Sequence, residues 1–407
     1  MTSPEGWKPT ALGSVLERVK MPVNVELSRE YREIGIRSHG KGVFHKSPVT
    51  GEGLGDKRVF WVVPDALVLN IVFAWEQAVA VTSYKEAGMI ASHRFPMYLP
   101  ANGKCDIHFL MQFFKTRRGK DLLGIASPGG AGRNKTLGQH EFERLRISLP
   151  DRSEQARIAH VLAISDLAIE AAIALSAATR KQHDGLSRML LTGKLRLPGF
   201  KKTWTTRSIK QMGKVVAGGT PDTSLPKNWG GPILWATPSD IAKVRGRYIK
   251  KTQRNITELG LQESAAFLLP VGSLLVCTRA TICELAISAI EMATNQGFKS
   301  VVPANSCDVE FLYHLFRLNK PRFIRMSCGS TFLELSKRDF ERMNFLVPDH
   351  DEQVAIAKRI NAAEDQVTAV NTYIEHLRKQ KLALMQQLLT GKRRLLREPM
   401  ISGSQPK

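Results

Sequence analysis

The chain has 407 residues, 43% of them hydrophobic, which is enough for two or three domains with real cores and excludes a disordered chain. Its 59 Lys and Arg against 37 Asp and Glu leave a formal net charge of +22, which points to a polyanionic partner, nucleic acid before an anionic membrane. No apolar run is expected to approach the roughly 18 residues that a membrane span needs, and residues 1–20 lack a signal-peptide core, so a cytoplasmic location is expected.

Residues 1–149 read as a first mixed α/β unit. Short β-branched runs at 59–63, 66–73 and 78–81 are broken by Gly and Pro, and a helix-like stretch follows at 106–117. A stretch that occurs twice begins at Pro150. It opens Pro150-Asp151-x-x-Glu154-Gln155 and closes Leu190-Leu191-Thr192-Gly193-Lys194, then recurs as Pro348-Asp349-x-x-Glu352-Gln353 and Leu388-Leu389-Thr390-Gly391-Lys392. Glu154 and Glu352 are 198 residues apart, and so are Gly193 and Gly391, so neither copy has gained or lost a residue.

Equal length is what a helix acting as a spacer requires. Each Asp can cap free N–H groups while the following Glu sits in the first turn, where the helix dipole favours negative charge. Each Gly suits the left-handed position after the last turn. In the second copy Ile356, Ile360, Ala363, Val367, Val370, Ile374, Leu377, Lys381, Leu384 and Leu388 form a heptad seam. The first copy has Ile158, Leu162, Ser165, Ile169, Ala172, Ser176, Thr179, His183, Leu186 and Leu190, with a small and polar middle that predicts looser zipping at the centre. Two helices of roughly 36 residues, about 54 Å each, bury these seams most readily against each other, as an antiparallel coiled coil. The expected organisation is a globular unit at 1–149, a spacer helix at 150–197, a second globular unit at 198–347, a second spacer helix at 348–396, and a flexible tail at 397–407. That is a pseudo-twofold tandem repeat of mixed α/β units and long helices.

No phosphate-binding Gly-x-x-x-x-Gly-Lys-Ser/Thr loop is present, which argues against ATP-driven work by this chain. Neither is there an Asn/Asp-Pro-Pro-aromatic tetrapeptide of the amino-methyltransferase kind. The glycines at 129, 130 and 132 do not lead from a strand into a helix. Asp151 with Glu154, and Asp349 with Asp351 and Glu352, stand at helix starts without a companion Lys, so capping accounts for them better than a Mg²⁺ nuclease site. The five cysteines include no Cys-x-x-Cys pair and read as buried reduced thiols; the ten histidines show no metal spacing.

A binding vocabulary remains. Arg117, Arg118, Lys120, Arg133, Asn134, Lys135, the cations of 243–251 and Arg322 to Arg325 lie in or beside expected loops, where they can neutralise phosphates. Arg37, His39, Lys41, Arg94, Arg279, Asn295, Gln296 and Lys299 can read base edges, Arg and Lys toward guanine, Asn and Gln toward adenine. Ser38 and His93 share the segments that hold them.

The duplicated helices resemble the two conserved regions of the specificity subunits of type I restriction-modification systems. Gly218-Gly219-Thr220-Pro221, residues 235–241, Asn295-Gln296 and the approach from Gly329-Ser330-Thr331 to Phe340 are similar to that family's target recognition domains. The resemblance covers nearly the whole chain. It departs at residues 279–284, Arg-Ala-Thr-Ile-Cys-Glu, where the family usually has glycines.

The resemblance implies a non-catalytic subunit with no cofactor of its own. Each globular unit would recognise one half of a bipartite, asymmetric double-stranded DNA target, with Gly219, Thr220, Trp235, Thr237, Ser239, Asp240, Ser330 and Thr331 added to the DNA-binding set. The helices would set the gap and dock partners, with Glu154, Gln155, Gly193, Glu352, Gln353 and Gly391 as spacer and docking positions. Two modification (methyltransferase) subunits would supply S-adenosylmethionine chemistry, and restriction (endonuclease and translocase) subunits would use ATP and Mg²⁺. The competing readings are a single-chain restriction or modification enzyme with an unrecognised active site, and an RNA-binding or purely structural coiled-coil protein.

Overall fold

The computed structural model describes residues 4–101, 103–129, 135–327 and 334–395. The chain divides into two compact units, residues 1–173 with 372–407, and residues 174–371. The division falls in the middle of each long helix and not at the helix ends expected from the sequence, because each half-helix shares a core with the globular body it packs on.

In the first unit, the strands Leu16–Val19, Met97–Pro100, Leu67–Leu69 and Val79–Val81 form an antiparallel sheet in that order. Leu67, Val68 and Leu69 are fully buried, so this strand is covered on both faces. The expected helix at 106–117 is one helix and the start of another. Helix α1 (Ile107–Phe114) is capped by Asp106, which accepts from the Phe109 N–H at 2.9 Å. Thr116 then caps α2 (Arg117–Ile125) through the Gly119 N–H. A strand pair, Lys8–Ala11 with Arg146–Leu149, delivers the chain to the first long helix, α3 (Arg152–Leu191).

The second unit holds a five-stranded sheet in the order Gly213–Ala217, Lys299–Pro303, Leu274–Val276, Leu285–Ser288 and Tyr248–Ile249. Beside it stands a three-stranded sheet of Arg254–Ile256, Trp229–Ala236 and Met292–Thr294. Helix α4 (Val309–Leu318) matches α1, again capped by an Asp, Asp308, through the Phe311 N–H at 2.7 Å. The second long helix is α5 (His350–Leu388). At 40 and 39 residues, the two long helices run about 60 Å each.

Every predicted seam residue of both helices is buried or half-buried. In the first unit, the N-terminal half of α3 runs antiparallel to the C-terminal half of α5, with Ile158 and Leu162 packed in one core with Met385, Leu388 and Leu389. In the second unit Leu190 and Leu191 pack with Ile356 and Ile360. The centre is polar as expected: Ser176 Oγ bonds Asn371 Oδ1 at 2.7 Å. Nearby, a cavity of about 280 Å³ lined by Arg180, His183, Arg317 and Glu364 opens in the second unit.

The opening motif does more than cap. Asp151 and Asp349 accept from the N–H of Glu154 and Glu352, as predicted. Gln155 and Gln353 are buried and accept from the N–H of Asp106 and Asp308 at 2.8 and 2.9 Å, tying each long helix to the start of α1 or α4. The glutamates are also buried, at 0% and 1% exposure. Arg394, just beyond α5, donates through Nε and Nη2 to Glu154 at 2.8 and 2.7 Å. Arg196, just beyond α3, donates in the same way to Glu352 at 2.7 and 2.8 Å, with Trp204 Nε1 adding a bond at 3.1 Å. Gly193 and Gly391 take φ of +70° and +69°, the left-handed turn that aims each arginine back. Glu154, Gln155, Glu352 and Gln353 therefore present no side-chain surface for docking another subunit; they close the chain on itself.

One expectation holds only for an uninterrupted apolar run. Helix α3 is long and apolar enough, by length and composition alone, to cross a membrane, with an 18-residue window of mean hydropathy 1.9, of which 22% is buried. The sequence reading missed it because Asp166 and Glu170 interrupt the run. Asp166 is held by Gln112 at 3.1 Å and Lys381 at 2.5 Å, while Ile164, Leu167, Ile173 and Leu175 stand 43–64% exposed.

Cys105, Cys277, Cys283 and Cys307 are buried free thiols; burial pushes the first three up to about 12, which keeps them protonated.

Candidate nucleic-acid interface

In the first unit the predicted residues gather round one turn, Ala74–Glu76 and Gln77. Ser38 Oγ donates to Glu76 Oε2 at 3.1 Å, and the His39 and Gly40 N–H groups donate to the Glu76 and Gln77 carbonyls. Arg37 is braced by the Val43 carbonyl and lies 4.9 Å over the Phe44 ring. Gln77, itself in the left-handed region, donates to the carbonyls of Phe114 and Thr116 and so fixes the start of α2, where Arg117 and Arg118 are exposed. These two cations stand at the positive end of the α2 dipole, so the local field is doubly attractive to phosphate. Lys135 lies 5.8 Å over the Trp75 ring. Lys41, His93 and Arg94 are exposed, the last two on the turn after Ile90–Ser92. Arg133 and Asn134 lie outside the described residues. Trp75, Glu76 and Gln77 went unnoticed in the sequence; three polar or aromatic residues interrupting the apolar run were the available signal.

In the second unit, Gly218 and Gly219 allow a close approach that no side chain permits. A Cβ on Gly218 would stand 1.9 Å from the Asn295 carbonyl, and one on Gly219 2.2 Å from the backbone of Ala265 and Ala266. The Thr220 hydroxyl thereby reaches Gln296 and bonds its Oε1. Asn295 Oδ1 accepts from the Gly297 N–H at 2.9 Å. Arg279, Asn295 and Gln296 line a pocket of about 280 Å³ with Pro238 and Ala280. Beneath it Glu334 holds Lys299 at 3.7 Å and the Nε side of Arg279 at 3.8 Å. Burial pulls the Lys299 ammonium below its usual range, and Glu334 opposes that.

Within the departure at residues 279–284, Ala280 and Cys283 take φ of +62° and +58°, the region that favours glycine.

Several predicted binders are framework. Trp235 is 4% exposed and donates from Nε1 to the Gly219 carbonyl at 2.9 Å. Asp240 is buried, accepting from Thr237 N and Oγ1 and from Gln253 N. Trp235 and Asp240 thus shape the site without reaching a ligand, and Lys299 acts through Glu334. Thr237 is half-buried and bonded to the exposed Ser239 at 2.8 Å. Ser330 and Thr331 lie outside the described residues. Arg254, unremarked in the sequence, stacks 3.5 Å over Trp229.

Of the cations at 243–251, Lys243, Arg245, Lys250 and Lys251 line an open cleft of about 1370 Å³. Arg247 lines the same cleft but pairs with Glu364 at 2.9 Å and Glu310 at 3.6 Å, so its charge is already matched by carboxylates of the protein. Arg322 likewise donates to the Asn344 carbonyl and covers Phe345. Among the described residues no cluster of three or more His, Cys, Asp or Glu is placed to hold a metal ion.

The family model for the type I restriction modification DNA specificity domain matches residues 69–176 and 201–379. The chain belongs to that family. The specificity subunit of the type I restriction enzyme MjaIX of Methanocaldococcus jannaschii is 35% identical over 185 residues, covering 45% of this chain and 43% of that protein. The chain's match thus spans less than half of this relative. The EcoR124I/EcoR124II specificity subunit of Escherichia coli is 23% identical over 61% of each chain. The fold is that of the HsdS subunit from Thermoanaerobacter tengcongensis, with a TM-score of 0.56 at 16% identity over 96% of this chain and 98% of that one. A chain of a type I restriction-modification complex, described with its assembly and conformational transition, superposes with a TM-score of 0.62 over 96% and 99%. The two matched stretches of this specificity-domain family each run from a globular body into a long helix.

Proposed function

We propose that the chain is the DNA specificity subunit of a type I restriction-modification complex. Each globular body reads one half of a bipartite, asymmetric double-stranded target, and the paired helices fix the gap between the halves. The observation that carries this reading is the convergence, in both units, of cations and amides on a loop cluster held by a rigid body, within a family defined by DNA specificity. Because the two clusters share no residue pattern, the two half-sites differ.

Catalysis belongs to partners in this reading. Two methyltransferase subunits bring S-adenosylmethionine, and restriction subunits bring ATP and Mg²⁺. The exposed apolar pair Ile164 and Leu167, three residues apart on α3 in the first unit, is the surface offered to a protein partner in place of the buried glutamates.

The test is to co-express the chain with its methyltransferase subunits and map methylated adenines on genomic DNA. The expected result is one asymmetric motif of two halves separated by a gap of constant length. Methylation or cleavage by the purified chain alone, or binding without a defined duplex sequence in the reconstituted complex, overturns it.

A further inference from the structure

The pocket of the second unit presents hydrogen-bond donors only, and we infer that it reads a guanine in the major groove. This deepens the reading of the chain as a DNA specificity subunit and rests on it.

By residue type alone, Asn295 and Gln296 suit adenine, which needs an amide that both donates to N7 and accepts from N6. The structure engages the accepting half of each amide within the protein. Asn295 Oδ1 is turned inward onto the Gly297 N–H at 2.9 Å, and because an N–H can only donate, the atom facing it must be the oxygen. Gln296 Oε1 is turned onto the Thr220 hydroxyl. Both amides therefore direct their NH₂ groups away from these bonds, and Gln296 is exposed.

Arg279 adds more donors. Glu334 lies on its Nε side, at 3.8 Å, and is itself anchored by Lys299, which leaves the Nη1 and Nη2 fork uncommitted by that pair. The same carboxylate faces two cations and does not line the pocket. Pro238, Ala280 and Gly297 complete the lining and bring no side-chain acceptor.

Among the base edges of the major groove, adenine and cytosine each present an amino donor, which this pocket would leave unpaired. Thymine presents one acceptor and a methyl group. Guanine presents two adjacent acceptors, N7 and O6, and no donor, which is the complement of an Arg fork flanked by amide NH₂ groups. A phosphate would also take donors, so the test separates the two.

The complex reconstituted with methyltransferase subunits is titrated with its target duplex by fluorescence anisotropy. Each guanine of the half-site read by the second unit is replaced in turn by 7-deazaguanine. One replacement is expected to weaken binding about 5- to 150-fold, the discrimination of a good bidentate pair. Because the change is made in the DNA, it does not depend on a variant that folds. Selection from a randomised duplex library should show Gln296→Ala and Arg279→Ala relaxing that same position. Gln296→Glu, which turns a carboxylate oxygen outward, should reject guanine there in favour of cytosine.

The inference is overturned if no 7-deaza replacement matters. It is also overturned if Arg279→Ala and Gln296→Ala weaken all sequences alike with a shallower salt dependence, which marks phosphate contact. Absence of any sequence preference in the wild-type complex would instead defeat the proposed function itself.

Discussion

Arg394→Ala tests the clamp that closes the first unit. Glu154 is fully buried, and its carboxylate accepts three bonds from Arg394, two from Nε and one from Nη2, and one from the Leu395 N–H at 3.2 Å. Removing the guanidinium leaves a buried carboxylate with a single backbone donor. Breaking one side of such a pair costs about 3–5 kcal/mol, and because the Arg394 side chain is 24% exposed, water can reach the site and the lower end applies. With an m-value of about 3 kcal/mol/M, urea unfolding followed by tryptophan fluorescence should move its first midpoint down by about 1 M. The double variant Glu154→Leu with Arg394→Met, which buries no charge, should recover most of that loss. A shift under about 0.3 M for the single variant, or a double variant less stable than the single one, refutes the reasoning.

Four other outcomes follow from particular contacts. His314 is 1% exposed, and burial, helped by the nearby Arg317, pulls it down to about 4 from 6.5; Asn361, bonded at 2.6 Å, and Glu364 oppose the shift. The unfolded chain then binds a proton that the folded one refuses, so stability falls by about 3 kcal/mol as pH drops from about 6.5 to 4, and His314→Gln should flatten that part of the acid unfolding profile. Gly218→Ala must push a Cβ into the Asn295 carbonyl, costing about 1–3 kcal/mol by denaturation and erasing discrimination at the half-site of the second unit in a binding selection. Leu167→Glu, at a side chain 64% exposed, should change stability by less than about 0.5 kcal/mol yet prevent co-elution with methyltransferase subunits in size-exclusion chromatography. The fourth comes from the equal lengths of the two copies of the long-helix stretch.

The heptad seams were legible because burial on one helix face imposes a period, and the period survives even where Ser176 or Thr179 replaces an apolar residue. The left-handed turns at Gly193 and Gly391 were legible because few residues but glycine go there cheaply. The clamps were not. A first-turn Glu looks the same in sequence whether it faces solvent or an arginine 240 residues away, as Glu154 does. The cluster proposed to read DNA was half legible: Arg279, Asn295, Gln296 and Lys299 were named by type, but which atoms the amides show depends on Gly297 and Thr220, which only folding brings together. Arg247 misled because its neighbours in the loop are free cations, whereas its own partners, Glu310 and Glu364, lie far along the chain.

The clamps also change what it means to lengthen the spacer. Glu154 to Arg196 and Glu352 to Arg394 are the same number of residues, and each arginine closes on the glutamate that opens the other helix. Extra residues near Ser176 in α3 alone lengthen one side of an antiparallel pair, so one clamp must open or the helix must bulge. Four residues also turn the seam about 40° off its face, whereas seven turn it only about 20°. A matched insertion of seven residues after Ser176 and seven before Asn371, its bonded partner, keeps both seams and both clamps. That variant should hold its urea midpoint to within about 0.3 M and, in complex with the methyltransferase, methylate the same half-sites across a longer gap. Seven residues placed in α3 alone should lower the midpoint by about 1 M, as clamp removal does. If the unmatched variant is as stable as the matched one, the equal lengths of the two copies have some cause other than the clamps.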